Sequence, residues 1–208
     1  MPACMIIAAM YRGEEAEFLF PGPLDCLICA DRGYEAARKA GLTPDLVVGD
    51  FDSMPRPDLP PEKLLVLPVH KDDTDTAVAL EEGRRRGYRE FRVGGGLGGR
   101  LDHTMANLQL AADCALRGER MWLCDPQNMA TVLAPGSYAL PWQYGRKLSL
   151  LAFTEQVGGV CLRGTEWPLE GAVLESRRPL GVSNEWKEAS AILSFESGLL
   201  AVFFSGDA

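Results

Sequence analysis

The chain has 208 residues and carries 21 Lys and Arg against 29 Asp and Glu, a net charge of −8. Nucleic acid is therefore not expected as a partner, because a phosphate-binding surface needs clustered cations. The composition, 47% hydrophobic and 24% charged residues, is that of a globular protein, and the length suits one large domain or two small ones.

The first predicted element is the apolar run at residues 1–10. No basic segment precedes it, no cleavage pattern follows it, and it is too short to cross a bilayer, so we expect a buried strand and no membrane partner. The six cysteines lack the paired clusters of structural zinc sites, and a strand would point Cys26 and Cys29 to opposite faces. We expect buried thiols and a reducing, cytoplasmic location.

The first two thirds of the chain alternate short apolar runs with helical patterns. Strands are predicted at residues 5–9, 26–30, 46–48, 64–69, 91–93 and 121–124, and helices at residues 34–40, 74–86 and 103–117. The last helix is the clearest, because apolar residues recur every three or four positions from Leu101 to Ala115. This alternation predicts an α/β domain with a mostly parallel sheet.

From about residue 135 short strand-like runs are separated by Gly, Pro and Ser. Strands are predicted at residues 147–152, 159–162, 191–195 and 199–204. We place a domain boundary near residues 128–135, so that residues 1–132 form the α/β domain and residues 133–208 a small all-β antiparallel sandwich.

Acidic residues follow several of the predicted strands. They are Asp31, Asp50, Asp52, Asp72, Asp73 and Asp75. In an open α/β sheet, ligands bind at the carboxyl ends of the strands. An extended backbone projects Asp50 and Asp52 to one side, where their repulsion favours a bound cation. Hard carboxylate oxygens suit Mg²⁺, which usually arrives bound to phosphate.

Helix capping is the alternative explanation for part of this set. Asp72, Asp73 and Thr74 are suited to cap the helix that begins there, and Asp75 would complement its dipole.

Residues 93–103, VGGGLGGRLDH, run from a predicted strand into the clearest helix. Glycines allow the backbone to approach a phosphate, and the helix start offers N–H donors, with Arg100 placed to bind phosphate oxygens. Gly94, Gly96 and Gly99 satisfy GxGxxG, although a tight strand-to-helix turn needs similar residues. No GxxxxGK[ST] is present, so any ATP is bound without a Walker loop.

The ordered motifs ADRG, PDLVVGDFDS, KDDTD and GGLGGRLDH, at residues 30–33, 44–53, 71–75 and 95–103, closely resemble thiamin pyrophosphokinases. The resemblance continues more weakly through Asp125 and Asn128 into GTEWPLEG and GVSNEW, residues 164–171 and 181–186. Arg32 stands where a glycine is common in the family, and Trp167 where the aromatic residue is often Tyr.

This resemblance implies transfer of the pyrophosphoryl group of ATP to the hydroxyl of thiamin, giving thiamin diphosphate and AMP. It also implies a homodimer with the thiamin site at the subunit interface. The residues implied for catalysis are Asp50, Asp52, Asp75 and Arg100, of which the three carboxylates would hold Mg²⁺. Those implied for ATP are Asp31, Lys71, Asp72, Thr74, Gly96, Arg100, Asp102 and Asn128.

Thiamin would be bound by Trp167, stacked on its rings, and by Ser183 and Asn184 of the partner subunit. From the residues alone, Trp167 is equally suited to the core of the sandwich, and Ser183 and Asn184 to a turn. Two other functions stay open. One is a pyrophosphokinase acting on a different alcohol, such as a hydroxymethylpterin, and the other is a non-enzymatic nucleotide-binding protein.

Overall fold

The computed structural model of the chain describes residues 2–13, 25–52, 54–68, 72–141 and 146–207. The chain divides into two units. Unit 1 comprises Met1–Leu110 and Glu119–Pro126, and unit 2 comprises Ala111–Gly118 and Gln127–Ala208.

The described part of unit 1 contains six parallel strands in the order β4-β3-β2-β1-β5-β6. They are β1 (Ala3–Ile7), β2 (Cys26–Ala30), β3 (Leu46–Gly49), β4 (Leu64–Val66), β5 (Glu90–Gly94) and β6 (Arg120–Cys124). Every residue of β2 and β3 is buried, as expected for central strands of a parallel sheet covered on both faces. The predicted parallel α/β architecture is confirmed. The strand predicted at 64–69 ends at Val66, and residue 69 lies outside the described residues.

Three α-helices occur in the described chain, α1 (Gly33–Lys39), α2 (Asp75–Arg85) and α3 (Leu101–Leu116), together with a 3₁₀ turn at Pro61–Lys63. Helix α1 starts directly against the end of β1, where a Cβ on Gly33 would lie 2.0 Å from the carbonyl oxygen of Ile7. The described residues include no helix with the length and apolarity that a membrane span requires.

The strand order of unit 1 identifies where a ligand is expected. From β1 the chain moves outward through β2, β3 and β4, and it then returns to place β5 on the other side of β1. The crevice between the carboxyl ends of β1 and β5 is therefore the topological switch point, where open α/β sheets bind their ligands.

From Gln127 onward unit 2 is antiparallel, with two sets of four strands ordered β12-β9-β14-β7 and β11-β10-β13-β8. Its strands are β7 (Asn128–Leu133), β8 (Gly136–Pro141), β9 (Arg146–Ala152), β10 (Gln156–Arg163), β11 (Leu169–Glu175), β12 (Gly181–Asn184), β13 (Ser190–Phe195) and β14 (Leu200–Gly206). The predicted strands correspond to β9, β10, β13 and β14, which confirms the antiparallel all-β character. The other four were not predicted, and β7 occupies most of the region expected to hold the domain boundary.

All six cysteines lie in the described chain, and none is in a disulfide. Five are buried and Cys161 is half-buried, which confirms the expectation of buried thiols for all but Cys161.

Candidate active site

Four carboxylates gather at the carboxyl edge of the parallel sheet. Asp31 follows β2, Asp50 and Asp52 follow β3, and Asp75 opens helix α2. Asp50 raises the pKa of the Asp52 carboxyl above its ordinary value, with smaller contributions from desolvation and from the charges of Asp31 and Asp75. We call these four residues the carboxylate cluster. Because these carboxylates repel one another, a bound cation would stabilise the cluster.

The backbone at the carboxylate cluster adopts uncommon conformations. Asp31 has φ +46°, and Phe51, between Asp50 and Asp52, has φ +56°. The Asp31 N–H donates to the carbonyl of Val48 at 2.7 Å, and the Asp52 N–H donates to Asp50 Oδ1 at 3.1 Å. Left-handed conformations at residues other than glycine cost free energy and persist where the surrounding structure imposes them, often at functional sites. Here they occur at Asp31 itself and at Phe51, between Asp50 and Asp52.

The structure tests the helix-capping explanation for residues 72–75. Thr74 is the N-cap of α2, and its Oγ1 accepts from the N–H of Ala77 at 3.2 Å. Asp75 is in the first helical turn, and Asp72 and Asp73 are exposed residues preceding it. The capping interpretation is thus confirmed for Thr74, whereas Asp75 is also part of the carboxylate cluster.

The glycine-rich segment serves two purposes along its length. A Cβ on Gly95, which has φ +72°, would lie 2.1 Å from the backbone nitrogen of Tyr11, so glycine is needed here for the segment after β1 to pack. Gly98, by contrast, is exposed, and a Cβ placed there would meet no atom within 4 Å. Only the later part of this segment therefore offers open backbone to a ligand.

Helix α3 holds the glycine-rich segment through side chains that sequence reasoning missed. The buried Asn107 donates from Nδ2 to the carbonyl of Gly96 at 2.7 Å, and Thr104 Oγ1 donates to the carbonyl of Gly98 at 3.4 Å. The sequence does place Asn107, a polar residue, on the apolar face of the predicted helix, and this position could have indicated a buried hydrogen bond.

Arg100 and Asp102 form an exposed ion pair at the start of α3. The guanidinium donates to Asp102 through Nε at 3.1 Å and Nη2 at 2.5 Å. Arg100 thereby lowers the pKa of Asp102 to about 2. The paired carboxylate orients the guanidinium, which is the group suited to bind phosphate oxygens.

Two more residues predicted for ATP are Lys71 and Asn128. Lys71 is outside the described residues, as is Ser53 of the GDFDS motif. Asn128 is the first residue of β7 and belongs to unit 2. Across the described ranges, no three Asp, Glu, His or Cys side chains are arranged to hold a metal ion by themselves.

In unit 2, Trp167 and Asn184 are joined directly. Asn184 is 8% exposed, and its Oδ1 accepts from the Trp167 N–H at 3.1 Å while its Nδ2 donates to the Trp167 carbonyl at 2.7 Å. Trp167 itself is 57% exposed, so the alternative that placed it in the core is wrong. Ser183 has φ +61°, and its N–H donates to Ser149 Oγ at 3.0 Å.

Trp167 and Asn184 line a cavity of about 130 Å³ within unit 2. Its other lining residues are apolar or glycine: Leu150, Leu162, Leu169, Leu180, Gly181 and Val182. Leu180 and Val182 are more than half exposed, as is Trp167. The cavity thus opens to an apolar surface that carries an aromatic ring.

Comparison with known proteins follows the same division of the chain. The family model of "Thiamin pyrophosphokinase, catalytic domain" matches residues 23–123, and that of "Thiamin pyrophosphokinase, vitamin B1 binding domain" matches residues 137–200. Thiamine pyrophosphokinase of Bacillus subtilis is 28% identical over 186 residues, covering 86% of this chain and 87% of the relative.

Two solved structures align with nearly the whole chain. A thiamin pyrophosphokinase family protein from Enterococcus faecalis is 32% identical, with a TM-score of 0.81 and 99% of each chain covered. Thiamin pyrophosphokinase from Geobacillus thermodenitrificans is 30% identical, with a TM-score of 0.84 and coverage of 99% of this chain and 98% of that one. The chain belongs to the thiamin pyrophosphokinase family.

Proposed function

We propose that the carboxylate cluster holds Mg²⁺ and the phosphates of ATP while the chain transfers the pyrophosphoryl group of ATP to thiamin. The reaction follows from the family: the chain functions as an ATP-dependent thiamin diphosphokinase that gives thiamin diphosphate and AMP. The observation that carries the residue assignment is the convergence of four carboxylates from three elements on one edge of the catalytic unit.

The chemistry of the cluster fits Mg²⁺. Mg²⁺ prefers oxygen ligands, keeps several waters, and in phosphoryl-transfer sites binds through one or two carboxylates together with the substrate phosphates. A closed arrangement of three protein ligands is therefore not required. Asp50, Asp52 and Asp75 are the proposed ligand set, from which one or two carboxylates would bind the ion directly, with Asp31 adjacent to them. Bound there, the ion would neutralise charge on the transferred group and position it.

The protein's own contribution is mainly positioning and charge. Transfer forms a bond between the thiamin hydroxyl oxygen and the β-phosphorus of ATP and breaks the bond from that phosphorus to the oxygen bridging it to the α-phosphorus, so AMP leaves. Little covalent help is needed from the protein. Arg100 is proposed to bind the phosphates, oriented by Asp102, and the carboxylates to orient the attacking hydroxyl.

The remaining ATP contacts are proposed from the residues around this edge. The open backbone after Gly96 is suited to approach the phosphates. Lys71, Asp72, Thr74 and Asn128 remain proposed nucleotide contacts.

Thiamin is a cation, which suits an aromatic face on an acidic chain. We propose that Trp167 stacks on it, a contact worth about 0.5 to 2 kcal/mol. Asn184 was expected to reach thiamin from the partner subunit, but it is bonded to the Trp167 backbone of its own chain, so its proposed role includes holding that ring in place. Ser183 is proposed to supply a polar contact.

A homodimer is proposed because the cavity beside Trp167 is small. Its volume of about 130 Å³ is below the roughly 300–1,000 Å³ typical of ligand sites, so a second subunit would complete the enclosure. The exposed Trp167, Leu180 and Val182 around it support an apolar contact surface. In this proposal residues 1–132 form the ATP and Mg²⁺ domain, and residues 133–208 the sandwich domain for thiamin binding and dimerisation.

The test is to incubate the purified chain with Mg-ATP and thiamin and to follow phosphorus species by NMR. Controls omit thiamin or replace it with a hydroxymethylpterin. We expect thiamin-dependent formation of AMP and thiamin diphosphate. Formation of ADP would instead indicate an ordinary kinase, and AMP formed only with the pterin alcohol would overturn the substrate assignment.

A further inference from the structure

A second polar cavity, of about 300 Å³, lies in unit 1 between the segment after β1 and helix α1. Its lining carries three cations, Arg12, Arg32 and Lys39, against one carboxylate, Glu35, which leaves a local charge of +2 on a chain of net charge −8. All three cations are exposed to solvent. Positive charge gathered in a concave site on an acidic protein raises the local concentration of anions.

The two walls of this cavity are held against each other by close packing. Gly33 brings the start of α1 against the end of β1, where any side chain would meet the Ile7 carbonyl. On the other wall, Tyr11 is 5% exposed, and its backbone packs on Gly95 after β5. Because both contacts involve backbone atoms, the cations extend from a framework whose geometry is set by the sheet.

The lining of the cavity adjoins the carboxylate cluster in sequence. Arg32 follows Asp31 directly, and the left-handed backbone at Asp31 lies at the junction between them. Asp31 acts electrostatically on Asp52, whereas Arg32 lines the cavity. A ligand that spans this junction would have one part near the proposed Mg²⁺ ligands and another near the three cations.

We propose that Arg12, Arg32 and Lys39 form a phosphate-binding subsite beside the carboxylate cluster. Guanidinium groups bind phosphate oxygens in a forked geometry, and the Lys39 ammonium adds a point charge. The ligand is a phosphate group, present either as the terminal phosphate of a polyphosphate chain such as ATP or as separate inorganic phosphate. The first source rests on the proposed function, whereas the second is independent of it.

The test compares binding by the full chain and two double variants, measured by isothermal titration calorimetry without thiamin. The test variant is Arg32→Gln/Lys39→Gln. The matched control is Arg38→Gln/Arg56→Gln, which removes the same charge from residues that line a neighbouring cavity. The probes are Mg-ATP, pyrophosphate, AMP and inorganic phosphate, and thermal denaturation establishes that each variant is folded.

We expect the test variant to weaken binding of at least one phosphate probe by about tenfold or more, and the control by less than about threefold. Losses for Mg-ATP and pyrophosphate but not AMP identify the terminal phosphate as the ligand. Loss for inorganic phosphate alone identifies a separate anion. Equal losses in the two variants, or none, would overturn the subsite. Because binding is measured without turnover, this result is independent of whether thiamin is the acceptor.

Discussion

Asn184 offers a direct test of how the position of Trp167 affects thiamin binding. Its amide makes two bonds to the Trp167 backbone, at 3.1 and 2.7 Å, and Thr165 Oγ1 makes a longer one to the Trp167 carbonyl at 3.4 Å. The indole itself is 57% exposed, so packing alone does little to hold it. The variant Asn184→Ala removes both Asn184 bonds to Trp167, together with the bond that Asn184 Oδ1 accepts from the Glu185 N–H at 2.9 Å, and leaves the Trp167 side chain unchanged.

The expected size of the effect follows from those two bonds. A typical intramolecular hydrogen bond contributes about 1 kcal/mol, so losing both costs about 2 kcal/mol. If that free energy orders Trp167 for binding, the affinity for thiamin falls by up to about thirtyfold, since each 1.4 kcal/mol is about a factor of ten. The KM for ATP is expected to change less than about twofold, because all of the proposed ATP contacts except Asn128 belong to unit 1.

The assay is steady-state AMP formation with each substrate varied while the other is saturating, on Asn184→Ala, Trp167→Ala and the double variant. If Asn184 acts through Trp167, the double variant binds thiamin no more weakly than Trp167→Ala does. Additive effects, or equal increases in the two KM values, would refute this reasoning. Urea denaturation of each variant separates a loss of affinity from a loss of folded protein.

Four further predictions concern unit 1. Asp52→Asn should lower turnover by at least about a hundredfold, and near-normal turnover would remove its assignment as a metal ligand. Because Asp50 raises the pKa of Asp52, the folded state holds that proton more tightly than the unfolded state, and metal-free wild-type protein loses stability as pH rises through this pKa. Thermal denaturation measured across pH should therefore show that Asp52→Asn is more stable than wild type at neutral pH, and that this difference disappears in acid. A wild-type protein more stable than Asp52→Asn at neutral pH would contradict the proposed repulsion. Asn107→Ala should raise the KM for ATP about tenfold and leave that for thiamin unchanged, because it releases the Gly96 carbonyl, and parallel increases would indicate a general folding defect. Gly33→Ala should lower the free energy of unfolding by about 3 kcal/mol or more, against about 1 kcal/mol for Gly41→Ala, which meets no atom within 4 Å; similar losses in urea denaturation would contradict the close packing.

The accuracy of prediction differs between the two units for a physical reason. The strands of unit 1 are short, largely apolar and bounded by turn residues, so β2 was predicted with its observed bounds and β3, β5 and β6 to within one residue at each end. The prediction for β1 was two residues too late, and that for β4 extended past Val66. In unit 2, β11 and β12 carry exposed residues and glycines, and their sequences lack a continuous apolar run. Such strands form because they pair with strands that are distant in the sequence. This pairing cannot be predicted from the hydrophobicity of the strand's own residues.

Sequence alone determined the order of strands and helices in unit 1, the placement of acidic residues at strand ends, and the motifs of the family. These features are local, or follow from the rule that parallel strands end at a common edge. Only tertiary structure decided that Gly95 accommodates the backbone of Tyr11, that Trp167 is exposed, and that Asn184 holds it. Each of these depends on contact between residues far apart in the chain, so no spacing within the sequence specifies it.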